Sequence, residues 1–258
     1  MSHHTTDTNN RVAWIDLNSS DAPASRDFYG KLFGWDIEVT QDPQYGGYGM
    51  ARQEGEDVAG IGPAQDPNAP TAWSLYFGSD DLDAFSKKVT DAGGTVVMAP
   101  FDVGDQGRMA VYQDPTGAFF SAWQGERMGT FRHGHPNSFG WAEVNARGVE
   151  QAVDFYSNVL GWQNQQQPMG DDLPPYNEFH LGDHAVAGAW EMSPEIPAEV
   201  PSYWQVYFKV DDVDDTFRRA TDLGASPMVP PSDYPGGRFA ILVDPQGASF
   251  AIHQTQES

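Results

Sequence analysis

The strongest constraint on the fold is that the chain is written twice. TAWSLYFGSDDLDAFSKKVTDAGG at 71–94 returns as SYWQVYFKVDDVDDTFRRATDLGA at 202–225, and GRMAVYQDPTGAFFSAWQ at 107–124 returns as GRFAILVDPQGASFAIHQ at 237–254. The opening stretch RVAWIDLNSSDAPASRDFYGKLFGW matches FGWAEVNARGVEQAVDFYSNVLGW, with Trp14 aligned to Trp141. The offset drifts only between about 127 and 131 residues, the mark of a tandem duplication. The segment GERMGTFRHGHPN between the copies has Gly, Pro and polar residues but no periodic pattern, and reads as a linker. The expected organisation is a disordered tail at 1–10, a first domain at 11–125, a linker at 126–137 and a second domain at 138–256.

Each copy divides again into two units of about 60 residues. Val12 to Leu17 alternates as a strand, Asn18 to Asp21 forms a polar break with helix-start residues, and Ala24 to Leu32 has helical periodicity, stopped by Gly34. Short Gly- and Tyr-rich segments near 36–40, 46–53 and 57–62 read as strands. The second half repeats the order: a strand at 72–77, a helix from Asp80-Asp81 to Ala92-Gly93-Gly94, then strands near 95–98, 108–113 and 118–123. Asp114-Pro115-Thr116-Gly117 and Asp244-Pro245-Gln246-Gly247 are turn signals, because Pro presets φ and Gly tolerates positive φ. The chain therefore reads as an α+β protein of four β-α-β-β-β units, paired into two curved eight-stranded sheets. Helices cover the convex faces, and each sheet leaves a cup as the default binding site.

Composition narrows the function. The 258 residues hold 39% apolar side chains, a globular content, and no apolar run approaches the length that spans a bilayer. There is no cysteine, which excludes disulfides, thiolate ligands and Cys nucleophiles. A formal net charge of −23 repels phosphate backbones, so neither nucleic acid nor a membrane surface is an expected partner. The expected partner is a small molecule, the expected compartment the cytoplasm, and the expected assembly a monomer or homodimer.

DAPASRDFYGKLFGW, GVEQAVDFYSNVLGW, SDDLDAFSKKVTDAGG, VDDVDDTFRRATDLGA and the two DPxG hairpins occur in order, in both copies. On these motifs the chain resembles the vicinal oxygen chelate superfamily of glyoxalases, bleomycin-resistance proteins and extradiol dioxygenases. It is most similar there to two-domain actinobacterial members labelled glyoxalase-like, hydroxylase or 27-kDa antigen-like, labels that follow the fold rather than a shown activity. The resemblance implies one divalent cation per cup, held by His, Gln or Glu on the first strand of each unit and by Glu or His on the last strand. Those positions fall on Trp14, Ser74 and Ser121 in the first copy, and on Trp141, Gln205 and Ala251 in the second. Of these only Gln205 is a residue type the family uses, so the usual metal site is not expected.

Side chains two apart on a strand share a face. That brings Asp16, Tyr76 and Trp123 into the first cup, and Glu143, Tyr207 and His253 into the second. Asp16 and Glu143 are the candidate general acids or bases; a structural pairing with Arg108 or Arg238 is the competing role. Trp14, Tyr76, Trp123, Trp141 and Tyr207, with Gln205 and His253, are the candidate ligand-binding residues, or else fill the cups. The function reads as a small-molecule binding or resistance protein, or a metal-free isomerase, cyclase or accessory factor, with no cofactor. The alternative is a lyase, dioxygenase or hydroxylase whose divalent metal is displaced toward Glu143, Gln205 and His253. Tyr45, Tyr48, Tyr176 and Tyr234 lie in loops that could rim the openings. His180, His184, His133 and His135 read as solvated or locally satisfied, as do His3 and His4 in the tail.

Overall fold

A computed structural model describes residues 9–66, 69–125, 131–169 and 174–256. The tail histidines His3 and His4 and the linker's 126–130 lie outside the described residues. The first copy supplies β1 (Val12–Ser19), α1 (Ala22–Phe33), β2 (Asp36–Val39), β3 (Gly49–Gln53), β4 (Glu56–Pro63), β5 (Ala72–Gly78), α2 (Leu82–Asp91), β6 (Thr95–Val103), β7 (Gly107–Gln113) and β8 (Phe119–Gln124). The second supplies β9 (Ser138–Ala146), α3 (Val149–Leu160), β10 (Gln163–Gln167), β11 (Tyr176–Leu181), β12 (His184–Glu191), β13 (Tyr203–Lys209), α4 (Val213–Asp222), β14 (Ser226–Tyr234), β15 (Gly237–Val243) and β16 (Ser249–Thr255). Two mixed eight-stranded sheets result, ordered β2-β3-β4-β1-β5-β8-β7-β6 and β10-β11-β12-β9-β13-β16-β15-β14. The α+β fold of four β-α-β-β-β units is thus present.

Local chemistry sets the helix ends. Asp21 caps α1 by accepting from Ala24 N at 3.1 Å, and Gly34 ends it at φ 72°, a left-handed conformation that glycine adopts without strain. Asp81 and Asp212 cap α2 and α4 in the same manner. The start of α3 lacks a capping side chain of its own; the Glu191 carboxylate reaches from the end of β12 to Gly148 N and Val149 N. One expectation shifts here. The polar break begins one residue after β1 ends at Ser19, so Asn18 belongs to the strand.

Compactness cuts across the order of the repeats. One compact unit holds Ile15–Ser74, the second part of the linker to Trp141, and the chain from Val206; it contains α1 and α4. The other holds the chain up to Trp14, the stretch from Leu75 through β8, and Ala142–Gln205; it contains α2 and α3. Each unit therefore takes one β-α-β-β-β module from each copy.

In the α1/α4 unit, Tyr29 is fully buried among Phe28, Phe33, Trp35, Trp73, Phe208 and Phe250. Its hydroxyl accepts from Trp73 Nε1 at 3.0 Å and donates to Asp244 at 3.0 Å. Asp244 belongs to the second copy's DPQG turn, and its other oxygen accepts from Gln246 N and Ala248 N at 2.9 Å each. The α2/α3 unit repeats this with partners exchanged. Trp204 Nε1 donates to the Tyr156 hydroxyl at 2.8 Å, which donates to Asp114 of the first copy's DPTG turn at 2.9 Å. The Phe-Tyr dipeptide and the DPxG tetrad are thus two ends of one contact made between repeats.

A second exchanged contact flanks each core. Trp35 Nε1 donates to the Asn137 carbonyl and Trp162 Nε1 to the Asn10 carbonyl, each at 2.7 Å. Asn10 and Asn137 have φ of 57° and 61°, which Asn tolerates better than most residues. Asn9 and Asn10 thus carry structure, with Asn9 bridging Gly78, although the sequence places them in the tail.

Burial, and then the neighbouring carboxylates, push the Tyr29 and Tyr156 phenols well above their ordinary range. At neutral pH they are neutral donors. Tyr29→Phe strands both the Trp73 N–H and the Asp244 oxygen in a dry core, and should cost about 2 kcal/mol in urea denaturation. A loss within error of zero would show that the contact carries no stability.

Candidate functional site

Strand register decides which side chains meet. In the α1/α4 unit, β1 and β4 run parallel, with Asp16 level with Gly60 and Asn18 level with Gly62. Level residues on neighbouring strands share a face. A Cβ placed on Gly60 would lie 1.7 Å from the Tyr48 hydroxyl, and one on Gly62 would lie 3.0 Å from the same ring. The Tyr48 ring therefore lies across the two glycines, on the face that carries Asp16 and Asn18, with its hydroxyl over the glycine beside the acid. Asp16 is 8% exposed and accepts from Asn18 Nδ2 at 3.3 Å; Asn18 Nδ2 also donates to Ser74 Oγ at 3.0 Å.

The α2/α3 unit carries the same arrangement from the second copy. Glu143 is level with Gly188 across β9 and β12, and a Cβ on Gly188 would lie 1.8 Å from the Tyr176 hydroxyl. Asn145 Nδ2 donates to Glu143 Oε1 at 3.4 Å. Two differences mark it. Trp190 stands where the first copy has Gly62 and sets its ring 5.8 Å from Tyr176. Tyr203, aligned with Ala72, has its phenol pushed up by burial and by the Glu143 charge.

The repeated constellation is an acid, an Asn two residues on, a level glycine, and a tyrosine hydroxyl above that glycine. Sequence reading found the acids but not the asparagines or glycines, and treated Tyr48 and Tyr176 as rim residues. The signal was present as W-x-[DE]-x-N in both copies, with a Tyr twelve residues before a Gly in each. Arg108 and Arg238 are engaged elsewhere, with Asp83 and Asp102 and with Asp214 and Asp233 respectively.

The remaining candidates divide between the units. Trp14, Tyr76, Trp123 and Gln205 are buried in the α2/α3 unit, with Tyr76 level with Ser121. Trp141, Tyr207 and His253 fall in the α1/α4 unit, where the Tyr207 and His253 rings meet edge to face at 6.1 Å. His253 is 8% exposed, its Nε2 has no hydrogen-bond partner, and a Cβ on Gly140 would come within 2.1 Å of that nitrogen. His180 is locally satisfied, with Nε2 2.7 Å from Glu178. No helix among the described residues is long and apolar enough to cross a membrane.

Comparison with known proteins agrees with the architecture. The sequence profile of the Glyoxalase/Bleomycin resistance protein/Dioxygenase superfamily matches residues 11–121 and again 138–252. Anthracycline biosynthesis protein DnrV of Streptomyces peucetius is 41% identical over 260 residues, covering 95% of this chain and 93% of its own. Among solved structures, the Mn(II)-bound glyoxalase from Novosphingobium aromaticivorans superposes with a TM-score of 0.67 at 19% identity, covering 97% of this chain and 83% of that one. The 2,2',3-trihydroxybiphenyl 1,2-dioxygenase from Sphingomonas wittichii superposes with a TM-score of 0.65 at 14% identity, covering 95% and 90%. At these identities the two structures speak for the fold alone.

The fold family implies a divalent cation, and the donor set can be tested against it. The positions expected to hold it carry Trp14, Ser74, Ser121, Trp141, Gln205 and Ala251. Indole and methyl groups offer no lone pair, and neutral serine hydroxyls are weak ligands. These residues do not fit a resident divalent ion at the family's position. Among the described residues, no three His, Asp or Glu side chains cluster so as to hold one elsewhere.

Burial, and secondarily the Lys209 charge, lower the His253 imidazole to about 4. The unfolded imidazole titrates near 6.5, so unfolding takes up a proton between those values. The neutral ring's contribution is complete above about pH 6.5 and is lost as pH falls through about 4. Over that window His253→Gln should flatten the pH dependence of the unfolding free energy by about 3 kcal/mol at most. Parallel slopes for wild type and variant would contradict a buried neutral imidazole.

Proposed function

The chain belongs to the glyoxalase/bleomycin resistance protein/dioxygenase superfamily, and on that footing we propose that it binds a small, planar, oxygen-bearing metabolite and moves a proton on it without a metal. One observation carries the reading: the acid, Asn, glycine and overlying tyrosine hydroxyl are built twice, with the hydroxyl 1.7 Å and 1.8 Å from where each glycine's Cβ would stand. A side chain at either glycine would displace the tyrosine that lies over it, and the recurrence of the pairing in both copies favours a shared chemical task.

The chemistry follows from the groups. A phenol donates a hydrogen bond to a ligand carbonyl oxygen and holds the charge that develops on it. A carboxylate beside it takes the proton from the adjacent carbon and returns it to another carbon of the resulting enol system. The proton count balances, and no oxidant is needed. Asn18 donates to Asp16 and aims the carboxylate. The similarity to a protein named for anthracycline biosynthesis supports an aromatic, hydroxylated or ketonic ligand.

Proton–deuteron exchange at the activated carbon of 2-tetralone, followed by NMR in D2O, tests this directly. The protein should speed exchange, a chelator should leave the rate unchanged, and Asp16→Asn combined with Glu143→Gln should lower it about 100-fold. The melting temperature of that variant should stay within about 5 °C of wild type. Tyr48→Phe with Tyr176→Phe should act in the same direction. Activity abolished by chelation and restored by Mn, Fe, Ni or Zn would overturn the proposal in favour of a metal held near Glu143, Gln205 and His253. Unchanged exchange in the carboxylate variant would also overturn it.

A further inference from the structure

The two copies of the constellation differ in what stands beside it. In the α2/α3 unit the row that starts at Glu143 continues across the sheet. Glu143 is level with Gly188, Gly188 with Glu178, and Glu178 with Gln165. The Tyr176 hydroxyl lies over Gly188, so a carboxylate stands on the neighbouring strand to either side of it. Tyr176, Glu178 and His180 alternate along β11 and share one face. Phe179, between the last two, points the other way and is fully buried against Tyr156 of α3 and Trp162. His180 Nε2 lies 2.7 Å from Glu178 Oε1, with the two side chains 13% and 28% exposed, so the pair is sheltered and still meets solvent. A carboxylate only accepts, so the neutral imidazole carries its hydrogen on Nε2 and keeps its lone pair on Nδ1.

The first copy has no such pair. There Met50 is level with Gly60, and Arg52 follows two residues on. A thioether carries no proton, and a guanidinium does not give one up. Arg52 is also tied to Glu38 at 2.7 Å and to Asp57 at 2.8 Å. The fold therefore forms its β3-type strand without the Glu–His pair, and an ion pair this open to water contributes little stability.

We propose that His180, held by Glu178, is a second acid–base group of the α2/α3 site, and that this relay exists in that unit alone. The inference rests on the proton-transfer reading of Glu143. Strands β9 and β11 lie two apart, about 10 Å between backbones, with the Tyr176 hydroxyl between them. A flat ligand whose carbonyl oxygen meets that hydroxyl has a base on one side and a donor on the other. Glu143 takes a proton from the carbon next to the carbonyl, and the electron pair moves onto the oxygen under the Tyr176 hydroxyl. The imidazolium form of His180 gives its Nδ1 proton to a carbon of the enolate, and the Glu178 charge favours that form beforehand. Water then takes the proton from Glu143 and reprotonates His180, so protons balance. The Asp16 site has a single carboxylate for both transfers.

Exchange of 2-tetralone in D2O tests the relay when it is measured in an Asp16→Asn background, where the α2/α3 site acts alone. In that background His180→Gln should lower the exchange rate about 100-fold and leave the melting temperature within about 3 °C. Glu178→Gln should lower it less. Imidazole added to His180→Ala should restore much of the lost rate, which a purely structural histidine would not allow. Arg52→Gln, at the matching position of the first copy, should leave the wild-type rate unchanged. Exchange that Glu143→Gln abolishes and His180→Gln leaves intact would overturn the relay while keeping the proton-transfer reading. A loss in His180→Ala that imidazole does not recover would also overturn it. No exchange by the wild-type protein would remove the proton-transfer reading and the relay together.

Discussion

The structure depends on a buried relay in which an indole N–H donates to a tyrosine hydroxyl and the hydroxyl donates to an aspartate. Trp73, Tyr29 and Asp244 form it in one unit; Trp204, Tyr156 and Asp114 form it in the other. An ionised carboxylate in an aromatic core is costly unless every lone pair is met. Here the turn's own backbone N–H groups satisfy one oxygen and the phenol satisfies the other. Even so, burial raises the Asp244 carboxyl from its ordinary value. The relay thereby fixes the DPxG hairpin, the helix bearing the tyrosine and the strand bearing the tryptophan in one arrangement. That helix follows the strand that carries the candidate acid.

Much of this was legible in the sequence, because alternation, helix caps and DPxG turns each have a local cause. The strand starts, Asp21 and Asp81 as caps, and Gly34 as a stop all follow from residues within a few positions of one another. What escaped was non-local. Nothing near Tyr29 says that its partner is an aspartate over 200 residues away, and nothing near Asp244 says that its turn is also an acceptor. The exchange of modules between repeats is invisible to any reading that treats each copy as self-contained.

The candidate site was half legible for a related reason. Trp14 and Trp141 at the family's ligand positions do not fit its usual donor set, and the acids two residues on follow from strand alternation. The role of Tyr48 and Tyr176 rests on register between β1 and β4 and between β9 and β12, and on the emptiness of a glycine. A missing Cβ leaves no chemical signature of its own. The repeats then report divergence that neither copy alone would show: Gly62 against Trp190, Ala72 against Tyr203, and Phe119 against Ser249.

The exchanged modules also bear on how such a chain can be taken apart. Each aromatic core holds a helix from the amino-terminal copy and a helix from the carboxy-terminal copy. Severing the polypeptide at the repeat boundary would divide both cores at once, leaving two fragments that each bare two unfinished apolar faces. The tandem gene is therefore not two proteins joined by convenience. The covalent connection keeps the complementary halves at high effective concentration.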